Sequence, residues 1–151
     1  MARVALRLDN QFSDVIRQLY EEKDSVTGIS IFTTLADLMV FAAMVGRDKF
    51  DDCVDVKASS SGREISSDVI VNQGRDGVAY LLALDHQNDG NILREENERE
   101  MWDYLQNYAF LGLQQIEIWL NDPGNTSIDP KDIILDEMKK IAVREGLHQL
   151  D

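Results

Sequence analysis

At 151 residues, 44% of them hydrophobic, the chain is long enough to bury one core and too short for a second, so it reads as a single domain, 1–151. Its longest wholly apolar run, 38–45, cannot span a bilayer, and the N-terminal "MARVALRLDN" lacks the apolar stretch of a secretory signal, which points to the cytoplasm and away from membranes. A net charge of −13 from 28 acidic and 15 basic residues opposes non-specific attraction to phosphate backbones, and the lone Cys53 excludes an internal disulfide or a Cys-rich zinc site.

Residues 1–20 run against that charge, with Arg3, Arg7 and Arg17 against Asp9 and Asp14, so any nucleic-acid contact is expected there. "RVALRLD" alternates strictly, placing Val4, Leu6 and Leu8 on one face of a half-buried strand and Arg3, Ala5 and Arg7 on the other. Phe12, Val15, Ile16, Leu19 and Tyr20 then follow helical spacing, with Asp9 or Asn10 as cap and an end near Lys23. After a connection at 24–32, "TTLADLMVFAAMVG" opens with Thr34 and Asp37 at capping-box-like spacing and closes on Gly46. This helix is apolar nearly all round, which suits the centre of a core or an oligomer interface.

From 47 to 73 the pattern weakens. "CVDVK" has the form of a short strand and "ASSSGREISSD" is rich in turn formers, so a weak strand or irregular segment is expected near 53–72. A helix at about 76–85 and a long one at about 94–120 follow, the latter with Met101, Trp102, Leu105, Tyr108, Ala109, Gly112, Leu113, Ile116, Trp119 and Leu120 on a broad apolar face. "NDPGNTS" breaks the chain. The last helix has Asp129 as cap, Pro130 at its first position, Lys139, Lys140 and Arg144 toward its end, and Gly146 as its stop. The expected fold is mainly α: a compact helical domain with a short N-terminal β-strand, organised as a strand-helix-helix element at 1–46, a helical pair at 74–121 and a C-terminal helix at 129–146.

Two stretches and two sets of side chains raise questions of chemistry. "DHQNDGNILREE" at 85–96 could offer calcium Asp85, Gln87, Asp89, the Asn91 carbonyl and Glu96 around Gly90. It lacks a second loop to pair with, and the plainer reading is a tight turn whose acids favour the start of the next helix. "VDVK" at 54–57 has the acid-x-Lys form of magnesium nucleases, through Asp55 and Lys57, but Asp48, Asp51 and Asp52 are too close in sequence to supply the second strand's acid. His86 and His148 have no nearby Cys or matched carboxylate in sequence and read as surface or loop residues. Trp102, Tyr108 and Trp119 have the spacing of core residues more than of a binding surface. There is no G-x-x-x-x-G-K loop, H-E-x-x-H or nucleophile elbow, and no cofactor or metal is expected.

The order strand, helix, helix within residues 1–46 is that of a ribbon-helix-helix DNA reader, in which Arg3, Ala5 and Arg7 would enter the major groove from a ribbon shared by two chains. The long connection at 24–32 and the acidic remainder weigh against it.

Two stretches, "FTTLADLMVFAAMVG" at 32–46 and "YLLALDHQNDGNILREENEREMWDYLQNYAFLGLQQIEIWL" at 80–120, resemble the Dnd system-associated protein 4 family. There a similar apolar "vFAA..G" helix precedes a long "eyANgGLe"-like helix, matched here by Asn107, Tyr108, Ala109, Phe110, Leu111, Gly112 and Leu113. The resemblance implies membership of a bacterial DNA phosphorothioation system linked to restriction and antiphage defence. It supplies no catalytic residue. The expectation is therefore a non-enzymatic accessory or adaptor protein, a homodimer whose partners are proteins of that modification and restriction system. DNA is a further expected partner, through the N-terminal strand. A ribbon-helix-helix-like regulator is the alternative and a magnesium-dependent nuclease the lesser one.

Overall fold

A computed structural model describes residues 3–53 and 61–146. Among the described residues six helices and a two-stranded antiparallel sheet make up the fold, which is mainly α as expected. In β1 (Ala5–Leu8) the predicted alternation holds, with Val4, Leu6 and Leu8 buried. The helix α1 (residues 10–21) changes pitch as it goes, from a 3₁₀ turn at Asn10–Phe12 through an α turn at Ser13–Ile16 to a π turn at Arg17–Glu21. Asp9 is its cap, accepting from the Gln11 amide at 2.9 Å. The 24–32 connection is bound in place: Asp24 accepts from the amides of Val26 and Thr27, and the Phe32 amide donates to the Leu19 carbonyl.

The strand β2 (Arg63–Ser66) and the short helix α3 (Ser67–Asn72) fall in the stretch near 53–72 where a weak strand or irregular segment is expected, the helix being unforeseen. Leu6 lies opposite Ile65 and Arg7 opposite Glu64. Beyond the strands the pairing continues, the Ser67 amide donating to the Val4 carbonyl at 2.8 Å. The other edge of β1 is covered by α5 (Glu98–Leu120): the Arg7 amide donates to Gln106 Oε1 at 2.8 Å, and Arg99 reaches the Ala5 carbonyl at 3.4 Å. Both edges of β1 thus have partners within the chain. Gln106 is 4% exposed, so Gln106→Leu would leave the Arg7 amide without an acceptor. A loss of about 1–3 kcal/mol in unfolding free energy is expected, read by urea denaturation.

The helix α2 (Leu35–Lys49) is capped by Thr34, which accepts from the Asp37 amide at 3.0 Å, and is buried on most of its circumference. It runs past Gly46, contrary to the expected stop. A Cβ on Gly46 would lie 2.0 Å from the Tyr108 carbonyl oxygen, and one on Gly112 would lie 1.6 Å from that of Ala42. Gly46 therefore serves a backbone-to-backbone crossing and not a helix end. Since Ala42 faces Gly112 and, one turn on, Gly46 faces Tyr108, α2 and α5 run in opposite directions.

The helix α4 (Asp76–Gln87) ends at Asn88, in the left-handed region at φ 53°, and 3₁₀ turns at Gly90–Leu93 and Glu95–Asn97 lead into α5, which begins four residues later than expected. Trp102 and Tyr108 are fully buried, and Trp119 packs partly buried against the core. The helix α6 (Pro130–Arg144) has the predicted cap, Asp129 accepting from the Lys131 amide at 3.0 Å, and Gly146 follows it at φ 74°. Ion pairs link the elements: Arg47 with Asp85 at 2.5 Å, Arg75 with Asp37 at 3.2 Å, Arg144 with Asp48 at 2.5 Å, and Arg63 with Glu21. No helix among the described residues is long and apolar enough to cross a membrane.

Candidate interaction surface

Arg3, Ala5 and Arg7 share the outward face of β1, as the alternation predicts. Acids oppose them on the same face. Arg3 Nε lies 3.4 Å from Asp68 Oδ2, and Glu64 stands directly across from Arg7, whose guanidinium donates to the Gly62 carbonyl at 3.4 Å. Cross-strand neighbours of opposite charge attract one another, so much of the positive potential of these arginines is met within the chain. For two copies to share a ribbon, β1 would have to exchange either β2 or the Gln106 and Arg99 contacts for a partner strand.

The segment 85–96 is folded as a junction between helices. Asp85 and Gln87, the would-be first and third ligands of a calcium loop, lie on α4, and the Asp85 carboxylate is engaged by Arg47. Asp89 accepts from the Asn91 amide at 3.0 Å, while the Asn91 carbonyl accepts from Asn97 Nδ2 at 2.7 Å. Among the described residues no three His, Cys, Asp or Glu side chains are gathered as a metal would need. Asp55 and Lys57, the nuclease candidates, and His148 lie outside the described residues.

His86 does have a matched carboxylate, which its sequence neighbours did not reveal. Its Nε2 lies 2.8 Å from Asp52 Oδ1; because a carboxylate only accepts, Nε2 carries the proton, and Nδ1 is buried without a hydrogen-bond partner. The ring packs against Tyr104 with centroids 4.6 Å apart, and Gln87 donates to the Tyr104 hydroxyl at 2.5 Å. Beside this pair, burial pushes the Cys53 thiol up to about 11, with the Asp52 charge adding to it. Tyr108 donates to the Asp51 carbonyl at 3.2 Å, and burial pushes its hydroxyl up to about 12. A nucleophile or base for neutral pH needs the opposite tuning. The cluster ties the end of α2 to α4 and α5.

A cleft of about 450 Å³ opens where α4, the 3₁₀ turns and the start of α5 meet, lined by Tyr80, Leu93, Arg94, Glu95, Glu98 and Met101. Tyr80 donates to Asp76 Oδ2 at 2.8 Å. Burial raises its hydroxyl above the usual tyrosine value, helped by that bond and by the charges of Asp76 and Glu98. Glu98 is 8% exposed, whereas Glu95, Glu96 and Glu100 around it are exposed.

No curated protein and no solved structure matches the chain. A family model described as DNA sulphur modification system-associated protein 4 matches residues 5–148, well beyond the stretches 32–46 and 80–120 that carry the resemblance in the sequence. That span runs from β1 past the end of α6, and the chain belongs to the DNA sulphur modification system-associated protein 4 family.

Proposed function

We propose that this protein is a non-enzymatic accessory component of a DNA sulphur modification system, a single-domain adaptor that binds another protein of that system through its acidic surface. The disposition of charge carries this reading. Arg17, Arg47, Arg63, Arg75, Arg99 and Arg144 are each held by carboxylates of the same chain. With acids outnumbering bases 28 to 15, the charge left over is negative, and exposed Glu95, Glu96 and Glu100 gather at the start of α5. A basic protein surface complements such a face, and a phosphate backbone does not. The upward shifts of Cys53 and Tyr108 favour a binding role over a catalytic one. Exposed Ile118 on α5, with Leu135 and Val143 on α6, favours pairing of two copies.

The test is copurification of the tagged protein with each product encoded beside it, at moderate and high salt. One partner is expected to be retained, released by high salt, and lost when Glu95, Glu96 and Glu100 are together changed to Lys. A monomer by sedimentation that retains none of these products sinks the reading.

The second reading, DNA contact through Arg3, Ala5 and Arg7, is favoured by the exposure of Arg3, whose side chain is 73% accessible. A mobility-shift titration against matched phosphorothioated and unmodified duplexes separates the two. A shift abolished by Arg3→Ala with Arg7→Ala would put DNA first, whereas the adaptor reading expects no shift at micromolar protein.

A further inference from the structure

We propose that the cleft at the start of α5 receives a single basic side chain, lysine or arginine, of a partner polypeptide, with Glu98 as the carboxylate that meets it. This rests on the adaptor reading and names the recognition point within it. Glu98 is more than nine-tenths buried, yet among the described residues its carboxylate has no hydrogen bond and no ion pair. Buried carboxylates are ordinarily paired, because removing the charge from water is costly. It stands at the first residue of α5, where the helix dipole favours negative charge. Glu98 lines the same cleft as Tyr80, near enough for its charge to help raise the Tyr80 hydroxyl.

The walls indicate what the ligand must be. Leu93, Met101 and the Tyr80 ring offer apolar and aromatic surface to a hydrocarbon stem, while Glu98 and Glu95 offer charge to its cationic head. A hard metal ion would want six or more oxygens, which these walls do not provide. Nucleic acid would bring phosphate against two carboxylates. Arg94 lines the cleft as well and has no ion-pair partner among the described residues, so its guanidinium is an internal competitor for the same carboxylate.

The experiment uses the full chain, isotope-labelled, titrated with Nα-acetyl-lysine amide and Nα-acetyl-arginine amide, with Nα-acetyl-norleucine amide as the uncharged control. Saturable amide shifts at Tyr80, Leu93, Glu98 and Met101 are expected from the cationic probes alone. Glu98→Gln is expected to weaken them at least tenfold, and Arg94→Ala to strengthen them several-fold. Glu98→Gln is also expected to melt close to the wild type, because the carboxylate has no ion-pair partner among the described residues to lose. Shifts spread over Glu95, Glu96 and Glu100 and indifferent to Glu98→Gln would overturn the proposal, as would no shift with either cation. A lower melting temperature for Glu98→Gln with binding unchanged would assign Glu98 a purely structural part. None of these failures touches the copurification result, which reads the adaptor role independently.

Discussion

Gly112→Ala is expected to lower the unfolding free energy by about 3 kcal/mol or more, at the upper end of what overpacking a core costs. Helix propensity alone argues the reverse, since alanine is better than glycine inside a helix by about 1 kcal/mol. The contact decides the sign. The added methyl would sit 1.6 Å from the Ala42 carbonyl oxygen, a backbone atom of α2 that no rotamer change can move aside. Relief requires α2 and α5 to separate, and Leu38, Met39, Leu105 and Leu113, all fully buried, would lose packing as they did so. Gly77→Ala is the matched control: it lies in α4 with nothing within 4 Å of a new Cβ, and a gain of up to about 1 kcal/mol is expected. Urea midpoints for the two variants check both. Equal stability of the pair would mean that the helices do not meet at Gly112.

The second large effect is alkaline. Cys53 is raised from an ordinary 9.0 to about 11 and Tyr108 from 10.0 to about 12, in both cases chiefly by burial. Below about pH 9 both groups are protonated whether the chain is folded or not, and they give stability no pH dependence. Above it the unfolded chain releases protons that the folded chain keeps, so stability falls as the pH rises toward 12. Each tenfold difference in proton affinity between the folded and unfolded chain is worth about 1.4 kcal/mol, but an ionised Cys53 itself raises Tyr108, so the two do not add fully. A loss on the order of 3 kcal/mol between pH 9 and 12 is expected. Cys53→Ala with Tyr108→Phe would be less stable at neutral pH but have a flatter profile over that range. An unchanged slope in the double variant would place the alkaline sensitivity elsewhere.

Local signals carried much of this fold. The alternation of β1, the Thr34 and Asp129 caps and the stripe of α5 all lie within a few residues of one another, and each was legible. The weak strand expected near 53–72 could not be placed within that stretch, because the four residues of β2, with Ile65 as their one buried hydrophobic side chain, give no measurable period. Gly46 looked like a helix end since glycine serves at ends and at close crossings alike; only the backbone of α5, far along the chain, distinguishes them. Separation in sequence hid the site as well. His86 meets Asp52 across 34 positions, and in "REENERE" nothing in the string marks Glu98 as the buried acid among exposed ones. Which acid turns inward depends on where the 3₁₀ turn at Glu95–Asn97 hands over to α5.

The double cover of β1 also has a consequence in time. The Arg7 amide waits for an acceptor 99 positions downstream, and Ile65 arrives midway. At ribosomal speeds of about 5–20 residues per second, the strand is out for roughly 5–20 s before Gln106 has even been made. During that interval the apolar side chains of Val4, Leu6 and Leu8 lack the cover that the folded chain gives them. β1 is therefore synthesised before both of the segments that seal its edges.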